Sequence, residues 1–210
     1  YTENAADTTL LPENCPHSSF EFDAIFFGGI SLCTDPTAST MLDFMRKRTD
    51  QSVTMLDPNI RPSFISEEAS YRKRIKEMIK LSDILKLSEE DLNWLVPIHQ
   101  HTKAKIKELV GLSDILVLIT KGSEGAEAFR AGQKIAQASS PKVDVKDTVG
   151  AGDTFNAGFL HSLMQSNALT KQYCRSPEVS VLKKALSYAT KAASVTVSRT
   201  GANSPWYDEI

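Results

Sequence analysis

The stretch DTVGAGDTFNAGF, residues 147–159, places Gly150, Ala151 and Gly152 directly before Asp153 and an apolar run of helical character. A loop that only turns a corner seldom needs three small residues in succession. At a helix entrance, missing side chains let another group approach the backbone. The first N–H groups of a helix have no intrahelical partner, and the helix dipole adds positive charge there. Clearance and charge together describe an anion site, and a phosphoryl group fits it. Asp153 conflicts with such a site unless its carboxylate faces a substrate hydroxyl. In phosphoryl transfer a carboxylate orients the attacking hydroxyl and takes its proton, while backbone donors stabilise the transferred group. The plainer alternative makes Asp153 a helix-start acid and nothing more. The preceding small residues weigh against it, because a bare cap needs no clearance.

Outward from this stretch the chain alternates between short apolar runs and helical patterns. DAIFFGG (23–29), SVTMLDPN (52–59), DILKLS (83–88), DILVLIT (114–120) and VDVKD (143–147) read as strands. Helices are expected over 36–49, 66–82 (opened by Ser66), EEDLNWLV, 103–111, 151–166 and 178–194. Residues 125–139 read as a hairpin turning at Ala131-Gly132. Such alternation predicts an α/β layer sandwich, one domain over 1–210, with a parallel sheet covered on both faces. Ligands in these sheets sit beyond the C-terminal strand ends, so residues 143–166 are expected to carry the site. The first strand comes only at residue 23, so the chain reads as starting inside a domain.

Composition narrows the function classes. With 41% hydrophobic and 24% charged residues the chain is globular rather than disordered. A net charge of -2 offers no polyanion surface, so no nucleic-acid partner is expected. The basic run RKRIK (72–76), flanked by glutamates, reads as a solvated helix face. No apolar run is long enough for a membrane helix, and the first residues do not read as a signal peptide. Cys15, Cys33 and Cys174 are odd in number and widely spaced, which suits a reducing cytoplasm. GxxxxGK(S/T), GxGxxG and zinc-type histidine spacings do not occur. His17, His99, His101 and His161 are read as bystanders. Trp94 and Trp206 are read as packing residues, and Leu160, Leu163 and Met164 as a core stripe.

DTVGAGDTFNAGFL resembles the C-terminal signature of the PfkB, or ribokinase-like, carbohydrate kinases, whose pattern is D-S/T-x-G-A-G-D-x-F. TKGSEGA (120–126) resembles that family's nucleotide loop, DPNIR (57–61) its substrate-side strand end, and SRTGA (198–202) its closing segment. The resemblance covers the C-terminal two-thirds of a member. It implies a ribokinase-like three-layer sandwich with a mainly parallel sheet, lacking in this chain the N-terminal part and lid. It also implies ATP- and magnesium-dependent phosphorylation of a sugar hydroxyl. By position Asp153 would be the base, and Gly150, Ala151 and Gly152 the anion hole. Thr120, Gly122, Ser123, Gly125, Gly152 and Ser88 would meet the nucleotide, while Asn59 and Arg61 would face the sugar or phosphates. A potassium ion, where members carry one, would take ligands from Asp147, Val149, Thr196 and Gly201. The family's N-x-x-E run is replaced by Ser88-Glu89-Glu90-Asp91, which puts Asp91 at the magnesium position. Members often form homodimers through the lid.

YTENAADTTLL and GGISL (28–32) resemble the fructokinase subgroup. Kinases for 2-keto-3-deoxygluconate often have Tyr-Arg where this chain has Tyr1-Thr2. Loss of that arginine argues against a carboxylate-bearing acceptor and for a neutral ketose such as fructose. The alternatives are 2-keto-3-deoxygluconate, another sugar or a nucleoside as acceptor, or a non-catalytic binding regulator. The intact GAGD argues against the last.

Overall fold

Four five-residue apolar runs form parallel strands: β1 (Ala24–Gly28), β2 (Val53–Asp57), β3 (Ile84–Ser88) and β4 (Leu116–Thr120). The computed structural model containing them describes residues 5–97, 101–111 and 113–210. Each parallel strand pairs with the next, and the hairpin β5 (Ala126–Arg130) and β6 (Gln133–Ala138) extends the sheet antiparallel, in the order β1-β2-β3-β4-β5-β6. The central strands are buried on both faces, which is why they read as continuous apolar runs rather than alternating ones. Ala131 and Gly132 turn the hairpin with positive φ of 47° and 70°.

The crossovers between parallel strands carry α1 (Thr37–Arg48), α2 (Glu68–Leu81), α3 (Glu89–Leu95) and α4 (Thr102–Val110). Strands laid down in one direction with right-handed crossovers place those helices on one face. There Ile75, Met78 and Ile106 meet Leu56, Leu87 and Val117. The other face receives α5 (Ala151–Gln165), α6 (Lys171–Arg175) and α7 (Val179–Val197), whose Phe159, Leu186 and Ala189 pack on Met55, Leu116 and Leu118. Helices α5 and α7 touch closely: a Cβ on Gly158 would stand 3.2 Å from Ala189 Cα. The result is an α/β three-layer sandwich with a mostly parallel sheet. Among the described residues no helix is long and apolar enough to cross a membrane.

Four expectations need correction. VDVKD forms no strand; residues 143–147 are coil, and the amides of Lys146 and Asp147 bond Val197 O at the end of α7. Its alternating pattern suits a strand, but its pairing goes to a helix end rather than to β6. Helix α2 starts at Glu68 after Glu67, without the Ser66 cap. Met164 is 48% exposed and Trp206 79% exposed, so neither belongs to the core. Trp94 does pack, edge-on to Tyr71 and beneath the Arg72 guanidinium at 3.7 Å.

The parallel strands end at Gly28, Asp57, Ser88 and Thr120 along one edge of the sheet. The residues of interest gather there.

Candidate active site

The entrance to α5 has the geometry that three small residues allow. Gly150 is left-handed (φ 78°, ψ −1°) and makes no side-chain cap. Thr154 N bonds Gly150 O at 2.9 Å to close the first turn, and Ala151 N makes a long 3.3 Å bond to Thr148 O. Among the described residues the amides of Gly152 and Asp153 have no acceptor. Asp153 is exposed, and its carboxylate makes no hydrogen bond or ion pair with the described residues. The loop ahead of it is held by Asp147, whose Oδ1 accepts Val149 N at 3.0 Å and whose Oδ2 accepts Gly201 N at 2.9 Å. These amides, Val149's foremost, hold the Asp147 carboxyl below the usual carboxylate range. Of the four residues expected around a monovalent cation, Asp147, Val149 and Gly201 are thereby joined. Thr196 is buried, and its hydroxyl bonds Thr154 Oγ1 at 3.0 Å beneath α5.

Beside this entrance opens a cavity of about 550 Å³. Thr120, Gly122, Ser123 and Gly125 line one wall, Ala151, Gly152 and Phe155 the second, and Thr190 and Val197 the third. Val143 and Val145, from the coil segment 143–147, also line it. Gly125 is required sterically, since a Cβ there would fall 2.1 Å from Ala138 O. Thr120, Gly122, Ser123, Gly125 and Gly152 thus share one cavity. Ser88 is not among its lining residues; it caps α3.

The residues expected on the acceptor side, Asn59 and Arg61, are held differently. Asn59 sits in the left-handed region (φ 43°), its N–H bonding Asp57 Oδ1 at 3.1 Å. Ile60 N bonds Asp91 Oδ1 at 2.8 Å. Asp91 Oδ2 accepts Ser88 N at 2.9 Å and Ser88 Oγ at 2.6 Å. The Asp91 carboxylate is therefore buried and engaged with protein groups, tying the 59–61 loop to the start of α3. Arg61 is exposed and donates to Ile60 O at 3.0 Å. Among the described residues no three His, Cys, Asp or Glu side chains converge as a metal site.

Beneath both parts lies a cluster that sequence reasoning missed. Lys86 Nζ donates to Asp57 Oδ2 at 2.9 Å, and Asn156 Nδ2 donates to the same oxygen at 2.8 Å. All three side chains are buried. The available signal was Lys86 itself, a lysine inside an apolar strand, which needs a partner. The Tyr1-Thr2 reading and His99 lie outside the described residues.

A profile of pfkB family carbohydrate kinases matches residues 3–209. The chain belongs to the pfkB family. It is 39% identical over 183 residues to a fructokinase of Rhizobium leguminosarum bv. trifolii, covering 87% of this chain and 56% of that protein. Among solved structures, a Vibrio cholerae O395 fructokinase with fructose, ADP and calcium ion superposes with a TM-score of 0.81 at 24% identity, over 95% of this chain and 62% of that one. Aminoimidazole riboside kinase from Salmonella enterica, complexed with aminoimidazole riboside and an ATP analog, gives 0.83 at 25% identity, over 97% and 66%. This pfkB chain thus spans 56%, 62% and 66% of the lengths of these three proteins.

Proposed function

We propose that the protein transfers the γ-phosphoryl group of ATP to a sugar hydroxyl, with fructose as acceptor. One observation carries the reading: an exposed Asp153, unbonded among the described residues, stands at a helix entrance whose Gly152 and Asp153 amides have no acceptor among them, beside a cavity of nucleotide size. Asp153 takes the acceptor proton, the Gly152 and Asp153 amides stabilise charge on the moving phosphoryl group, and the apolar cavity holds the base. Fructose is favoured by the Rhizobium relative and by the ligand of the Vibrio structure. A riboside acceptor is the second reading, resting on the Salmonella structure. Unpaired Cys15, Cys33 and Cys174 suit the reducing cytoplasm where we place this activity.

A divalent ion entering with the nucleotide would neutralise phosphate charge, since such ions are bound largely through phosphates and water. Asp91, expected near magnesium, is engaged with Ile60 N and Ser88, and a monovalent cation would take the Asp147 carboxylate with backbone carbonyls of Val149, Thr196 and Gly201. No step above depends on either ion.

The test uses purified full-length protein, ATP, magnesium and a panel of fructose, 2-keto-3-deoxygluconate and ribosides, with ADP release measured. Fructose should give the highest kcat/KM. Asp153→Asn should lower kcat by about 10²–10⁴-fold while ATP affinity changes less than about threefold. ATP binding without phosphorylation of any acceptor would favour a non-catalytic regulator. A fully active Asp153→Asn variant would remove that residue from its role.

A further inference from the structure

Lys86 projects from the middle of β3 onto the face otherwise built from Ile84, Leu116, Leu118 and Phe155. Its side chain is only 5% exposed, and its ammonium lies 3.3 Å from where a Cβ on Gly152 would stand. One N–H bonds Asp57; among the described residues the others have no acceptor. Asn156, one turn beyond Gly152, shares the Asp57 oxygen, and its own Oδ1 is buried without a partner. The second oxygen of Asp57 holds Asn59 N. A single carboxylate therefore joins the Asn59–Arg61 loop to α5.

Stability alone does not account for this arrangement. Desolvation offsets much of the attraction in a buried ion pair, and apolar groups of similar volume often do as well. The pair does have a direction, with its positive end against Gly152. A charge shielded from water is weakly screened, and fixed charges aimed at a reacting group contribute most to its transition state.

We infer that Lys86 is a positioning residue for phosphoryl transfer. Asp57 fixes its ammonium against Gly152, so the entrance of α5 keeps a set spacing from Asn59 and carries a permanent positive charge behind its amides. The inference rests on the kinase reading above. It predicts an effect on turnover rather than on nucleotide affinity, because the ammonium stands behind the α5 entrance and Lys86 is not among the residues lining the cavity.

Lys86→Met alone leaves Asp57 buried and unpaired, so loss of folding would accompany any loss of activity. The informative variant is Asp57→Asn with Lys86→Met, which makes the pair neutral at similar volume. In the full-length protein its melting temperature should lie close to that of the unmodified enzyme. Its kcat should stay about 10–100-fold lower, with ATP affinity within about threefold. Affinity for magnesium, ADP and aluminium fluoride, a mimic of the transferring group, should fall while affinity for ADP alone holds. A folded double variant with unmodified kcat and fluoride-complex affinity would overturn the inference alone. Absence of turnover in the unmodified protein on every acceptor would overturn the kinase reading and this inference with it.

Discussion

The two halves of the site are built by opposite means. At the phosphate end, amide directions come from the geometry of α5, so the sequence need supply only space, and three small residues do so. Its tether is one Asp147 carboxylate gripping two amides at the protein surface. At the acceptor end, the Asn59–Arg61 loop has no regular structure to aim it. Its amides end on carboxylates instead, Asn59 N on Asp57 and Ile60 N on Asp91, and Asp57 needs Lys86 and Asn156 to stay buried. The α5 entrance is therefore light in charge and open to solvent, whereas the Asn59–Arg61 loop rests on concentrated buried charge. The two ends should fail differently, one through affinity and one through stability.

Asp57→Ala presses hardest on that contrast. It strands the Lys86 ammonium and the Asn59 amide, and should cost about 3–5 kcal/mol in urea unfolding. A loss below about 1 kcal/mol would mean water reaches the cluster, and the contrast between buried and open ends would fail. Asp91→Ala should cost about 2 kcal/mol by leaving Ile60 N and the α3 cap without their acceptor. It also decides between anchor and metal ligand. An anchor leaves the magnesium concentration for half-maximal activity unchanged, whereas a ligand would raise it with stability intact. Gly150→Ala tests the light end. Its left-handed backbone and a Cβ only 3.1 Å from Ala202 Cβ predict a loss of about 1–2 kcal/mol. ATP affinity should weaken with it, since the entrance shifts.

The same contrast explains what the sequence made legible. The strands were readable because burial on both faces produces continuous apolar runs, and the α5 entrance because GAGD is a local pattern. Ser88 and Asp91 are equally local, a Ser-x-x-Asp capping pattern before Leu92. The Lys86–Asp57–Asn156 cluster was not legible from spacing, since its members lie 29 and 99 residues apart and meet only when the sheet and α5 assemble. VDVKD failed for a related reason. A strand is defined by its neighbour, and the partner of this segment proved to be the end of α7, far along the chain.

The smallest expected effect concerns the Asp147 clasp and acidity. Its folded carboxyl lies below the ordinary 3.8, so the clasp contributes fully above that value and is lost as pH falls through the lowered one. Amide exchange at Val149 and Gly201 should therefore quicken as pH is taken from just above 3.8 down to about 2, beyond the intrinsic pH dependence of exchange. Asp147→Asn should exchange faster at both ends of that range and show little further change across it. Asp147 is accessible to water, so salt should weaken the pH effect as well. The buried acceptor end should be indifferent to added salt. Equal salt sensitivity at Asn59 and Val149 would show that both ends are solvated alike, and the division between them would lose its physical basis.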